Sequence, residues 1–185
     1  MFGRRCRQAL VARPRPQADP RRGGSSLKLY LVRHAKAGSR SAWNGPDEER
    51  PLSKAGRRQA AALAKLLRDE PIGHVVSSAY VRCRETVAPL AERLGLPVED
   101  ADALSEGAPL SEALRLIDKV SDKPTVLCTH GDVIGELLHH WASQHARLDA
   151  GDDAAPSELR FPKGSTWVLD VEDGQVVRGH FLPAT

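Results

Sequence analysis

Cysteine is scarce in this sequence. Its three residues, Cys6, Cys83 and Cys128, are an odd number with no C-x-x-C pair, which excludes a disulfide framework and a zinc ribbon and points to a reducing compartment. No run approaches the roughly 18 consecutive apolar residues of a membrane span, and positions 1–24 lack the continuous apolar core of a secretory signal, so the chain reads as soluble and cytoplasmic with no membrane partner. Aromatic residues contribute 4%, too few to supply stacking platforms along a nucleic-acid strand. A Walker A loop, a Gly-x-Ser-x-Gly elbow and a His-Glu-x-x-His pair are missing as well. Their absence removes the usual routes to NTPase, serine-hydrolase and zinc-protease chemistry, and no metal or cofactor is expected.

What is present is a core-forming sequence with unevenly distributed charge. The 185 residues are 41% apolar, enough for one α/β-sized domain. Lys and Arg number 27 against 24 Asp and Glu, a formal charge of +3, and the pI is near 8.9. Residues 1–24 hold seven Arg and one Asp, so this segment carries +6 and the remaining 161 residues carry −3. The basic balance therefore belongs to an arm in which Pro14, Pro16 and Pro20 oppose the amphipathic helix of a mitochondrial presequence. Residues 1–24 read as a disordered basic arm and 25–185 as the folded domain. The mild acidity of that domain gives no reason to expect a nucleic-acid partner.

Beyond Gly23-Gly24-Ser25-Ser26, the apolar run Leu27 to Val32 predicts a buried first strand. It ends at Arg33-His34, followed by a loop with Gly38, Gly45, Pro46 and Pro51, too punctuated for regular structure. Ser53 caps a helix over about 54–69, with Ala60, Leu63, Ala64 and Leu67 on one face. A strand at about 73–77 precedes a helix at about 79–94, whose stripe is Val87, Leu90, Ala91 and Leu94 and whose stop is Gly95. Leu110, Ala113, Leu114 and Ile117 mark a third helix. A strand Thr125 to Thr129 leads into a fourth, carrying Ile134, Leu137, Leu138 and Trp141. Residues 144–164 read as a long polar connection, and Thr166 to Val171 with Gln175 to Phe181 as a terminal hairpin. Strands separated by helices predict an α/β fold, a mainly parallel sheet covered on both faces, with ligands bound beyond the carboxyl ends of its strands.

Arg33-His34, Ser77-Ser78 with Arg82, and Thr129-His130 all fall just after strands. Each alone is ordinary: a lone His at a strand end is by default packed or hydrogen-bonded, and an Arg on a helix is by default solvated. Together, two His and two Arg at one sheet edge suit a tetrahedral dianion such as phosphate. His139-His140 lie on different helical faces and make no paired metal ligand. Cys83 and Cys128 read as small core hydrophobes.

These residues carry a resemblance. Leu31-Val32-Arg33-His34-Ala35-Lys36-Ala37 resembles the Arg-His-Gly/Ala signature of the histidine phosphatase superfamily, the phosphoglycerate mutase-like fold. Arg50-Pro51-Leu52-Ser53-x-x-Gly56-x-x-Gln59-Ala60, Ser78-x-x-x-Arg82-x-x-x-Thr86 and Thr129-His130-Gly131-Asp132 follow in the family's order, and the similarity spans about residues 27–140. The Arg-His-Ala form and the small size are most similar to the SixA branch of phosphohistidine phosphatases. They are also similar to the domain fused to some bacterial Nudix hydrolases, although no Nudix box occurs here.

The resemblance implies a three-layer α/β/α sandwich and a phosphatase. A neutral imidazole at His34 would attack phosphorus in line, giving a phosphohistidine that water hydrolyses. Arg33 and Arg82 would clamp the equatorial oxygens and their field would keep His34 unprotonated. His130, just before a helix N-terminus, would donate a hydrogen bond to the phosphoryl group, and Lys36 would contact substrate. Glu106 stands where the family commonly places a proton donor, or is simply a solvated loop carboxylate. Asp132 is read as the cap of the fourth helix, with tuning of His130 as the alternative. Ala35, where larger mutases carry glycine, is read as a methyl on the pocket floor. Trp43 either reads a substrate together with Lys36, Arg40 and Asn44 or, the favoured reading, only pins its loop to the core, and Lys163 is a candidate second cation reaching the pocket from the long connection.

The expected substrate is a phosphorylated protein carrying phosphohistidine, or a small phosphorylated metabolite. The alternatives are a nucleoside di- or triphosphate, and a phosphate-binding module without turnover. The sequence leaves the oligomeric state open, and a monomer is compatible with it.

Overall fold

The computed structural model describes residues 26–151 and 159–184; the basic arm, with Cys6, and part of the long connection lie outside them. Strand β1 (Leu27–Arg33) is followed by α1 (Lys54–Leu66), β2 (His74–Ser77), α2 (Val81–Leu94), β3 (Glu99–Asp100), α3 (Leu110–Val120) and β4 (Thr125–Thr129). Then come α4 (Gly131–Ser143), β5 (Arg147–Asp149), β6 (Thr166–Glu172) and β7 (Gln175–Leu182). The seven strands form one sheet in the order β3-β2-β4-β1-β6-β7-β5. The first four in that order run parallel, β6 is antiparallel to β1, β7 antiparallel to β6, and β5 parallel to β7.

The continuous apolar run of β1 is explained by helices on both faces. Tyr30 and Val32 pack with Leu63 of α1 and Val87 and Leu90 of α2. Leu29 and Leu31 pack on the opposite face with Ile117 of α3 and Leu137 and Leu138 of α4. Period-2 alternation thus sends successive residues into two separate cores, and the three-layer α/β/α architecture follows.

The helix ends obey local chemistry. The Ser53 hydroxyl accepts the Gly56 N–H at 3.1 Å and starts α1. Gly95, at φ 67°, closes α2 in the left-handed conformation. The β6–β7 hairpin turns through Asp173 and Gly174, both at positive φ, the two-residue geometry that suits twisted strands. Its imperfect alternation has a cause in a register shift between Asp170 and Val171.

Four features depart from the expectation. Helix α1 stops at Leu66, three residues early. Residues 35–51 are not wholly irregular: Ala37 pairs with Leu52 across an isolated bridge and Asp47–Glu49 make a 3-10 turn. The connection after α4 contains β5, a three-residue strand on the sheet edge, and the two-residue β3 caps the opposite edge. Both are too short to show periodicity. Among the described residues no helix is long and apolar enough to cross a membrane.

Candidate active site

Neighbouring strands β2, β4 and β1 end side by side, and their ladder continues one residue further: Ser78 N–H donates to Cys128 C=O at 2.9 Å and His34 N–H to Thr129 C=O at 3.0 Å. These bonds set His34, Ser78 and His130 along one edge. A cleft of about 850 Å³ opens there, lined by Arg33, His34, Lys36, Arg82, Glu106 and His130 among others. Every residue expected from the sequence to act is therefore at one site.

His34 is buried, and its Nδ1 lies 2.8 Å from the Ala35 carbonyl oxygen. A carbonyl only accepts, so Nδ1 carries the hydrogen and Nε2 keeps a free lone pair. Burial pushes the imidazole down to about pKa 3, against the Ala35 hydrogen bond that favours its charged form and with help from His130, Arg82 and Arg33. The cationic field expected to keep this ring neutral acts in that direction, but desolvation is the larger cause.

Arg33 donates from Nη1 to Phe161 C=O at 2.9 Å, while its buried Nε has no partner. Its guanidinium lies against the first residue of α4: a Cβ on Gly131 would fall 2.8 Å from Arg33 Cζ. Glycine there lets the cation reach the helix N-terminus, where anions bind. Arg82, 1% exposed, donates from Nη1 to the Asp47 carbonyl at 2.8 Å and pairs with the Asp47 carboxylate at 3.0 Å. Its Nη2 donates to Glu106 at 2.8 Å, and its Nε, like that of Arg33, is buried without a partner. His130 sits at the N-cap of α4 with its ring 5.3 Å from that of His34. Its Nε2 is 3.1 Å from Ser78 Oγ and its Nδ1 3.4 Å from Arg82 Nη2.

The sequence profile of the histidine phosphatase superfamily (branch 1) matches residues 29–109. A SixA protein of Agrobacterium tumefaciens superposes with a TM-score of 0.66 at 27% identity, covering 86% of this chain and 99% of that one. Over residues 29–109 the chain is similar to the histidine phosphatase superfamily.

An 8-oxo-(d)GTP phosphatase of Mycolicibacterium smegmatis is 34% identical over 159 residues, 83% of this chain and 47% of the relative. SixA complexed with tungstate shares the fold, with a TM-score of 0.65 at 17% identity, covering 85% of this chain and 95% of that one. The chain spans about half the length of the curated relatives it matches.

Within this chain the other motifs have structural work. Lys36 C=O accepts both the Ser53 N–H and the Ser53 hydroxyl, each at 2.9 Å, and a Cβ on Gly56 would fall on that same oxygen. Gln59 Oε1 accepts the Lys36 N–H at 3.0 Å while its Nε2 donates to Lys163 C=O at 3.2 Å. Thr86 Oγ1 accepts the Ala35 N–H at 2.9 Å and donates to Arg82 C=O at 2.6 Å, joining the backbone beside the His34 ring to α2.

Three readings are corrected. Asp132 does not cap α4; its Oδ2 accepts the Gly107 N–H at 2.6 Å and so tethers the Glu106 loop. Ala35 is fully buried against Leu52 and Ala60, and its methyl is no part of the pocket floor. Trp43 is 36% exposed and so does not pin its loop to the core. Lys163 does line the cleft, as do Arg40 and Arg50.

Asp47 escaped the sequence reading altogether. Its carboxylate receives Arg50 Nε at 2.9 Å and Arg40 at 3.1 Å besides Arg82, and these contacts, the Arg50 hydrogen bond first, hold its carboxyl well below the usual range. An acid in a Gly/Pro-rich loop carries no spacing signal; only its arginine partners reveal it. Cys83 and Cys128 are buried in the α1/α2 core as expected, with Cys83 Sγ 3.5 Å from His130 Nε2. Among the described residues no group of three or more His, Cys, Asp and Glu side chains is placed to hold a metal.

Proposed function

We propose that the protein is a phosphatase that hydrolyses a phosphomonoester or phosphoramidate through a covalent phosphohistidine at His34. One observation carries this reading: a ring nitrogen with a free lone pair faces a cleft in which Arg33 and Arg82 each keep an unpartnered Nε. In the first step His34 Nε2 forms a bond to phosphorus as the bond to the leaving group breaks, and the electron pair departs with that group. Arg33 and Arg82 neutralise charge on the equatorial oxygens.

Arg82 Nη2 can only donate, so its 3.4 Å approach makes Nδ1 of His130 an acceptor and leaves the ring hydrogen on Nε2, directed at Ser78 Oγ, which also lies 3.4 Å from the Tyr80 N–H; Arg82 and His130 together border the phosphoryl group. Glu106, half-exposed beside Arg82, supplies a proton to the leaving atom. In the second step water attacks phosphorus, its proton passes to Glu106, and phosphate leaves with His34 neutral again.

Two substrate classes follow from two different likenesses. A phosphohistidine protein is the reading supported by the SixA proteins; its leaving imidazole also demands least of the acid. A nucleoside phosphate is favoured by the 34% identical 8-oxo-(d)GTP phosphatase and by a cleft of about 850 Å³, which exceeds the room one phosphoryl group needs.

A panel of phosphohistidine peptide, nucleoside diphosphates and p-nitrophenyl phosphate, assayed with wild type and His34→Ala, tests the proposal. Wild type is expected to release phosphate and to trap a phosphoryl label that survives alkali and is lost in acid, the variant neither. A label with the reverse stability, or full activity in the variant, overturns it.

A further inference from the structure

We infer that the exposed indole of Trp43 is the stacking platform for the base of a nucleoside phosphate whose reacting phosphoryl group lies at His34. The inference rests on the phosphatase reading above and decides between its two substrate classes.

The protein has three tryptophans. Trp141 and Trp167 are 6% and 0% exposed, whereas Trp43 keeps 36% of its surface in solvent. Its ring is nonetheless fixed. Nε1 donates to Pro46 C=O at 2.8 Å, and Gly45 lies against the indole so closely that a Cβ there would come within 3.1 Å of Trp43 Cζ2. One side of the ring is thereby closed by its own loop, and the rest is presented to solvent as a rigid flat surface that loses little freedom on binding.

The backbone of Trp43 is one turn from residues that line the cleft. Trp43 N–H donates to Arg40 C=O at 3.4 Å, which places the two Cα atoms within about 7 Å, and Gly38, Ser39 and Arg40 line the cleft itself. The loop is held over the site by Arg40, which pairs with Asp47 at 3.1 Å and approaches Glu106 at 3.8 Å.

Charge along the same rim suits a chain of phosphates. Lys36 and Lys163 line the cleft and neither pairs with an acid among the described residues. The Lys163 ammonium is pushed down by burial and then by Arg33, Arg50, Arg82 and Arg40, which line the same cleft. A protein partner would ask for something else, a contiguous apolar patch. Among the described residues the other exposed large apolar side chain is Leu66, at the far end of α1, so Trp43 stands alone. A single flat ring on the loop that carries Arg40 of the cationic rim matches a base joined to phosphates.

The test compares kcat/KM for guanosine diphosphate with that for two ring-free substrates, pyrophosphate and phosphoramidate, in wild type, Trp43→Ala and Trp43→Phe. Trp43→Ala is expected to lose roughly tenfold or more on the nucleotide and less than about twofold on the ring-free pair, with Trp43→Phe recovering most of the difference. The diphosphate, and not pyrophosphate, should quench the tryptophan emission of wild type, and this quenching should vanish in Trp43→Phe. Equal loss on all substrates would reduce the ring to a loop brace and overturn the inference, as would no loss at all. Turnover of phosphoramidate with none of guanosine diphosphate overturns it while leaving the phosphatase reading intact; a wild type inert on every phosphate removes that reading as well.

Discussion

The two walls of the cleft are held by different kinds of bond. On the β1 and α4 side, His34 and Arg33 are oriented by main-chain carbonyls, those of Ala35 and Phe161, and by a glycine that leaves room for the guanidinium. On the α2 side, Arg82 is oriented by two carboxylates, Asp47 and Glu106, each delivered by a separate loop. Carbonyls do not titrate, so the first wall keeps its geometry over a wide pH range. The second wall is built of charge pairs, which are stronger where buried but depend on ionisation. The nucleophile sits on the wall that pH leaves alone, and the adjustable loops sit opposite it.

The largest test of this division is at the nucleophile. His34→Ala is expected to lower kcat by about a thousandfold or more and to abolish the trapped phosphoryl label, with rapid-quench labelling as the measurement. Next comes the ion-paired wall. Arg82→Ala should lower kcat/KM by about a hundredfold and, because Asp47 and Glu106 then lose the buried cation they share and keep only the exposed Arg40 between them, cost about 2 kcal/mol by urea unfolding. Unchanged stability would mean that the carboxylates find other partners and that the two walls are less distinct than their contacts suggest.

Gly131→Ala probes the opposite wall through space alone. The added methyl displaces the Arg33 guanidinium, and an approximately tenfold fall in kcat/KM with an unchanged thermal midpoint is expected. A proportionate fall in both would show that Arg33 also braces the fold.

The remaining effect is on pH. In the folded protein His34 stays neutral down to about pH 3, whereas the unfolded chain protonates it near 6.5. Between those values the unfolded state binds more protons, so stability falls as pH is lowered from 6.5 toward 3. Asp47, depressed by Arg50, adds a loss only below the ordinary carboxylate range. Thermal midpoints taken from pH 7 to 4 should slope less in His34→Ala than in wild type; parallel slopes would place the titration elsewhere.

Much of the fold could be read from the apolar stripes. Leu63, Leu90 and Leu137 each fall at helical spacing because each helix has one buried side, and Thr125 to Thr129 is a strand with its predicted limits. The short edge strands β3 and β5 could not, since two or three residues set no period. At the site, Arg33, His34, Arg82 and His130 were legible because strand ends announce themselves in sequence. Asp47 serves by whom it touches, across 35 residues of chain, and a pairing that distant leaves no local pattern. Asp132 was misread because an acid next to a helix start suggests a cap, while the nearby Gly107 loop offered its N–H instead. Trp43 was misread because large aromatics are buried on average, a tendency that its local brace on Gly45 and Pro46 overrides.

Gln59 bridges the loop after His34 to the segment that carries Lys163, using the two ends of one amide. An amide is a spacer of fixed length with a donor at one end and an acceptor at the other. The aperture between those loops is consequently gauged by a side chain that neither Glu nor Lys can imitate, since each offers only one of the two polarities, and a wider mouth would require both loops to be re-tied at once.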